Sequence, residues 1–238
     1  RGPLMMRMSC ALLLAALVAS RAVAQTPASF GDAAASDPVA MGWMVGAPPP
    51  PERLIRFDDG SFIKFPQLRW SFSHWRELYP TVEVARGDGP VSALPRAVRS
   101  DLDAVTFVPL GGTQPMTWAQ SLAANYTDGI LVMHRGRVVY ERYFGALKPD
   151  GMHIAHSVTK SFAGTIAAML VAEGKLAANA KVARYLPELA GSAFGDATVR
   201  QVLDMTTGLK YSEKYADPDA DVWRFARSAS LVPRPAGY

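Results

Sequence analysis

The most informative part of the sequence is residues 156–162, a stretch that reads His-Ser-Val-Thr-Lys-Ser-Phe. It opens a run that continues to Glu173, in which apolar side chains recur at helical spacing before Gly174 interrupts the pattern. We therefore predict a helix from Ser157 to about Glu173. Because the helix is apolar on all sides, we expect it to be buried in the centre of a domain.

Ser157 and Lys160 form a Ser-x-x-Lys motif at the start of this helix. Side chains three residues apart share a helix face, so the lysine amine is expected within reach of the serine hydroxyl. Unpaired N–H groups and the positive helix end would stabilise an oxyanion there. Burial is expected to favour a neutral amine that can act as base. The alternative is an N-cap serine beside a solvated lysine.

Secondary-structure signals flank the motif on both sides. Residues 129–134 are typical of a buried strand, Arg135-Gly136 of a turn, and residues 137–144 of a returning strand, which together predict a β-hairpin. Downstream, Thr198 is placed to cap a helix that runs through Leu203 and breaks at Thr207-Gly208. The motif is thus expected to open a helix directly after a hairpin.

With these elements in place, residues 156–162 resemble the nucleophile motif of the serine β-lactamase and penicillin-binding-protein superfamily. Residues 198–209 resemble its helix that ends in a Thr-x-Gly-Leu segment. Within the superfamily, residues 41–238 are most similar to the 6-aminohexanoate-dimer hydrolases, which are nylon-oligomer amidases with carboxylesterase activity. The resemblance implies an α/β (α+β) fold of the β-lactamase/DD-peptidase type: an antiparallel sheet flanked by helices, plus an all-helical region.

The resemblance also implies functional roles. Ser157 would be the nucleophile that forms an acyl-enzyme and Lys160 its general base. Residues 209–218 match the group locally, and Tyr215 corresponds there to a tyrosine that binds substrate and assists amide cleavage. We therefore expect a serine hydrolase that cleaves small amides or esters. The alternatives are a β-lactamase or D-alanyl-D-alanine carboxypeptidase-type cell-wall enzyme with the same Ser157 and Lys160, and a non-catalytic binding protein with this fold.

Two elements of the superfamily pattern are missing from the sequence. One is a Tyr-x-Asn or Tyr-Ser-Asn element that supplies a tyrosine base, and the other is a Lys-Thr-Gly-like or His-x-Gly-like strand. Tyr238 could pass for the tyrosine but is the last residue. We therefore interpret residues 118–238 as a partial hydrolase domain, truncated at its C-terminus.

Residues 52–117 precede that domain and are rich in aromatic side chains. We interpret them as an extended arm that packs on the hydrolase domain. A stacking surface for nucleic acid or sugar is the alternative, which the charge balance disfavours. Residues 25–51, with Pro48–Pro51 near their end, are interpreted as a linker.

Residues 1–24 predict a cleaved secretory signal peptide, with Arg7 before an apolar run and small residues at 22–24. We expect a periplasmic or secreted protein and no stable membrane span, because the apolar run is about half of the ~20 residues that a span needs. Three of the 25 Lys and Arg residues lie there, which leaves 22 against 21 Asp and Glu. A nearly neutral body gives no electrostatic reason to expect a nucleic-acid partner.

The remaining residue types predict no cofactor and no metal. Cys10, the single cysteine, lies in the apolar run, so the mature chain is expected to lack disulfides and thiol sites. The four histidines lack metal-ligand spacing, and Asp217, Asp219 and Asp221 lack the EF-hand glycine and glutamate. His156 suggests a serine–histidine dyad, but adjacent side chains usually point apart, which favours Lys160. The expected partner is a small-molecule amide or ester.

Overall fold

The computed structural model describes residues 31–235, so the predictions on residues 1–24, including Cys10, and on Tyr238 lie outside the described residues. Short 3₁₀ turns connect the regular elements. The elements, in chain order within each type, are the helices α1 (Leu68–Ser71), α2 (Trp118–Ala124), α3 (Val158–Ala172), α4 (Val199–Leu203) and α5 (Asp221–Ser228), and the strands β1 (Thr106–Phe107), β2 (Met116–Thr117), β3 (Gly129–His134) and β4 (Arg137–Tyr143).

The main hydrophobic core lies in residues 41–79, the N-terminal core. Its buried members are Trp43, Ile55, Phe62 and Trp70, and further aromatic rings pack around them. Residues 52–79 are therefore compact rather than extended, because rings from one segment can bury each other, and Phe72 of this segment also packs on His156 of the interpreted hydrolase domain. The interpretation of residues 25–51 as a linker also fails at Trp43, whose large ring is only 9% exposed.

The predicted hairpin is present. Strands β3 and β4 pair antiparallel, with Gly129 opposite Tyr143. Arg135 and Gly136 both have positive φ, +50° and +74°, as the favoured two-residue hairpin turn requires. Residues 95–99 run beside β4 and bond to its backbone. Burial was predicted for β3 and is found instead on β4, because the described residues cover little of β3.

Helix α3 matches its predicted extent but not its predicted environment. It spans Val158–Ala172, and Gly174 follows it with a φ of +71°. No residue of α3 is buried by the described part of the chain. The side chains of Phe162, Ile166 and Met169 are 67%, 59% and 57% exposed. The expectation of a buried helix is therefore wrong for the described residues. Apolar composition creates the tendency to be covered, whereas burial itself needs neighbouring elements.

Two helices begin with the same reciprocal cap. Thr117 and Gln120 form a capping box at the start of α2, and Thr198 and Gln201 form one at the start of α4. Each box satisfies backbone N–H groups that a helix start otherwise leaves without partners. The predicted cap at Thr198 is thereby confirmed. In the part of the chain that the structure describes, no helix has the length and apolarity needed to span a membrane.

Candidate active site

The structure brings Ser157 and Lys160 together at the start of α3. Lys160 Nζ lies 3.0 Å from Ser157 Oγ, within hydrogen-bonding distance. Ser157 occupies the N-cap position, but its side chain accepts no capping hydrogen bond. The geometry therefore differs from the N-cap alternative and matches the pairing that the three-residue spacing predicts.

The surroundings of this pair differ from the expectation. Lys160 was expected to be buried, but Ser157 and Lys160 are both exposed to solvent. The reason is the same as for the whole of α3: residues 31–235 place little against this helix. The burial on which a neutral amine was expected to depend is not supplied by the described residues.

Backbone groups of the first turn of α3 were expected to lack partners. Instead, the N–H groups of Val158, Thr159 and Lys160 donate to the carbonyls three residues before them, at 3.0–3.1 Å. The N–H of Ser157 donates to no atom of residues 31–235. Within this turn, the N–H group of the candidate nucleophile is thus the one that can donate to a substrate oxygen.

His156 has an unusual backbone. Its φ is +43°, and a non-glycine residue in this region costs on the order of 1–3 kcal/mol. Its ring meets Phe72 edge-on at 4.8 Å and Trp75 at 6.2 Å, and within the described residues it forms no hydrogen bond with Ser157. Partial burial lowers the pKa of His156, and the nearby His153 lowers it further. These contacts favour the lysine over a serine–histidine dyad.

A second histidine connects this site to the hairpin. His153 Nε2 lies 3.0 Å from Asp128 Oδ2, one residue before β3. This hydrogen bond raises the pKa of His153 above its usual value of 6.5. The pair borders an open cleft of about 540 Å³ that Phe72 and Tyr143 also line. Sequence reasoning missed this pair, because the two residues are 25 positions apart and belong to no motif.

Tyr215 is not brought to the pair by any contact among the described residues. It lies on the loop before α5, where its side chain is 63% exposed. The indole N–H of Trp223 donates to its carbonyl at 3.2 Å, and the two rings meet edge-on at 5.9 Å. The contacts with Trp223 therefore hold Tyr215 on this loop and leave its side chain largely exposed.

The loop aspartates serve local backbone groups. Asp217 accepts the N–H of Asp219, and Asp221 accepts that of Ser212, both at 3.0 Å. The first contact has the two-residue spacing of an Asx turn, and the second joins the start of α5 to residue 212 of the preceding loop. Within residues 31–235, no group of three or more His, Cys, Asp or Glu side chains is placed to hold a metal ion.

In comparisons with known proteins, the Beta-lactamase family model matches residues 119–238 of this chain. A 6-aminohexanoate-dimer hydrolase of Paenarthrobacter ureafaciens is 34% identical over 218 residues, which is 92% of this chain and 48% of the relative. The solved structure of a Bacillus anthracis protein assigned to the 6-aminohexanoate-dimer hydrolases superposes with a TM-score of 0.67 at 27% identity, over 76% of this chain and 47% of that one. The chain thus spans about half the length of these proteins.

Proposed function

Because this chain belongs to the β-lactamase family, we propose that the protein is a serine hydrolase with Ser157 as nucleophile and Lys160 as general base. The observation that carries the proposal is the 3.0 Å separation of Lys160 Nζ and Ser157 Oγ at the start of α3. A nucleophile and a base within hydrogen-bonding distance are the minimum machinery of covalent catalysis.

In the proposed reaction, Lys160 Nζ takes the hydroxyl proton of Ser157 as Oγ attacks the substrate carbonyl carbon. The carbonyl electron pair moves to oxygen, and the N–H of Ser157 donates to that oxyanion. Collapse of the tetrahedral intermediate expels an amine or alcohol, which takes up the proton held by Lys160 Nζ. Water then attacks the acyl carbon and gives a proton to Lys160 Nζ, which passes that proton to Ser157 Oγ as the acid is released.

We propose small amides or esters as substrates, like the 6-aminohexanoate dimer in the names of the two relatives. Tyr215 is the proposed substrate-binding residue. Its support is its exposed hydroxyl on an anchored loop. A phenol in that position can donate a proton or a hydrogen bond to the leaving nitrogen of an amide.

The test uses the protein expressed from its complete reading frame, with p-nitrophenyl butyrate and the 6-aminohexanoate dimer as substrates. Ser157→Ala should lose several orders of magnitude in kcat, and Ser228→Ala on α5 is the matched serine control. A fluorophosphonate should phosphonylate Ser157 alone, with loss of fluoride, and mass spectrometry should locate the added group. A Ser157→Ala rate above about a tenth of wild type would rule out the assignment. Rapid penicillin turnover with no ester or amide cleavage would overturn the substrate class.

We also propose that the protein is exported. The support is the sequence of residues 1–24, which has the charged start, apolar run and small residues of a signal peptide. Mature protein from the periplasm or medium should begin near Gln25 when its N-terminus is sequenced. Cytoplasmic protein with an intact N-terminus would contradict this.

A further inference from the structure

Two aromatic side chains from the edge of the N-terminal core reach the residue immediately before Ser157. The ring of Phe72 lies 4.8 Å from that of His156, and the ring of Trp75 lies 6.2 Å from it, both edge-to-face. The carbonyl of Phe72 also accepts the backbone N–H of Ile154 at 2.8 Å. Since Trp75 packs against the buried core cluster, these ring contacts connect His156 to the N-terminal core.

The backbone of His156 needs such support. Its φ of +43° lies in the left-handed region, which residues other than glycine rarely adopt. Its carbonyl accepts the N–H of Thr159 at 3.1 Å, and the carbonyl of Ser157 accepts that of Lys160 at 3.0 Å. The direction in which α3 starts therefore depends on the conformation of His156.

His153 provides a second connection to the same ring. It meets Phe72 edge-on at 5.9 Å, and its Nε2 is held by Asp128 at 3.0 Å. Phe72 is thus in contact with both histidines of the segment that leads into α3. Phe72 thus links the N-terminal core to His156 directly, and to Asp128, just before β3, through His153.

We propose that Phe72 and Trp75 are positioning residues of the active site, which hold His156 in the left-handed conformation that sets Ser157 Oγ against Lys160 Nζ. The proposal rests on the proposed function and extends it to residues outside the 119–238 range of the family match. Neither aromatic residue touches the reacting atoms, so their effect should be on the rate of the chemical step.

The first experiment compares Phe72→Leu with Phe72→Tyr in the complete protein. Active sites are titrated with a fluorophosphonate, so that kcat is expressed per competent serine. Phe72→Leu should lower kcat about tenfold with KM nearly unchanged, because small misplacements of a nucleophile are costly. Phe72→Tyr keeps the ring and should restore kcat. Phe107→Leu, on the exposed strand β1, is the matched control and should behave as wild type.

The second experiment tests whether the effect passes through His156. Glycine adopts positive φ readily, so His156→Gly loses the ring contacts but keeps the backbone conformation accessible. His156→Ala loses both and should have the lower kcat. Adding Phe72→Leu to His156→Gly should cause little further loss, because Phe72 no longer has an imidazole to hold.

Three results would overturn the inference while leaving the proposed function intact. They are a wild-type kcat per labelled site in Phe72→Leu, a lowered melting temperature with unchanged kcat, and losses that multiply in the Phe72→Leu/His156→Gly double variant. A wild-type protein that is neither labelled nor active would remove both proposals. If Phe72→Leu does not fold, Trp75→Phe replaces it. This variant keeps an aromatic ring in the core, but its smaller ring makes less contact with His156.

Discussion

Two regions of this chain are both rich in large apolar side chains but use them differently. The N-terminal core buries Phe62 and Ile55 to 0% and 2% exposure, whereas α3 leaves Phe162 and Ile166 at 67% and 59%. In the N-terminal core, rings from successive turns face one another and exclude water. Helix α3 presents apolar side chains all round, and one segment cannot cover itself in that way.

The comparison shows that a hydrophobic pattern predicts that a segment needs to be buried, but not which elements will bury it. The N-terminal core is stabilised by contacts within its own segment. Helix α3, which holds the candidate catalytic pair at its start, depends on other elements for its burial. The two regions meet at Phe72 and His156. Away from this junction, substitutions in the two regions should therefore differ in kind: loss of rate in α3 and loss of stability in the N-terminal core.

The largest effect is expected from Lys160→Arg. Arginine keeps the positive charge but cannot lose its proton, so it cannot act as the base. We expect kcat to fall by about 10²–10⁴-fold, the usual contribution of general base catalysis, with little change in melting temperature. Lys175→Arg, at an exposed position shortly after the same helix, is the control. A Lys160→Arg variant with wild-type activity would show that Lys160 is not the general base.

The next largest effect is expected on the free energy of unfolding, which should respond differently to substitutions in the two regions. Phe62→Ala removes a fully buried ring and should cost about 3–5 kcal/mol of unfolding free energy. Phe162→Ala removes a ring that is mostly exposed and should stay within about 0.5 kcal/mol. Chemical denaturation of both variants measures the difference. Equal costs would mean that α3 is covered in solution and that the two regions do not differ.

The candidate site and the fold could be predicted from sequence where the signals are local. The Arg135-Gly136 turn, the cap at Thr198 and the Ser157–Lys160 spacing each depend on a few consecutive residues. The contacts of Phe72 with Ile154 and His156 could not be predicted, because they join distant parts of the chain and follow no spacing rule. The exposure of α3 was missed for the same reason: burial is a property of the neighbours.

A smaller effect is expected from Tyr215→Phe. If the hydroxyl helps the leaving group, amide cleavage should lose about tenfold or more in kcat/KM, whereas ester cleavage should change little, because an alcohol leaves more easily than an amine. The 6-aminohexanoate dimer and p-nitrophenyl butyrate provide the two measurements. Tyr211→Phe on the same loop is the control. Equal losses on both substrates, with a lower melting temperature, would make Tyr215 a packing residue.

The smallest effect concerns the His153–Asp128 pair at the junction of the regions. Since its hydrogen bond to Asp128 raises the pKa of His153 above 6.5, the stabilisation is complete below pH 6.5 and is lost as the pH rises through the raised pKa. Asp128→Asn should therefore lower the melting temperature by a few degrees at pH 6 and by less at pH 9. Asp150→Asn, on an exposed turn, is the control. A difference that grows with pH would contradict the assignment.

The paired capping boxes have a consequence for the order in which the chain assembles. Each box closes between residues three apart, at Thr117 with Gln120 and at Thr198 with Gln201. Closing so short a loop costs far less chain entropy than joining Phe72 to Ile154. During synthesis, α2 can therefore begin as soon as its own residues emerge from the ribosome. A nascent chain that ends before Ile154 can already hold the N-terminal core and the capped start of α2, whereas the nucleophile is fixed only after the segment around His156 has been made.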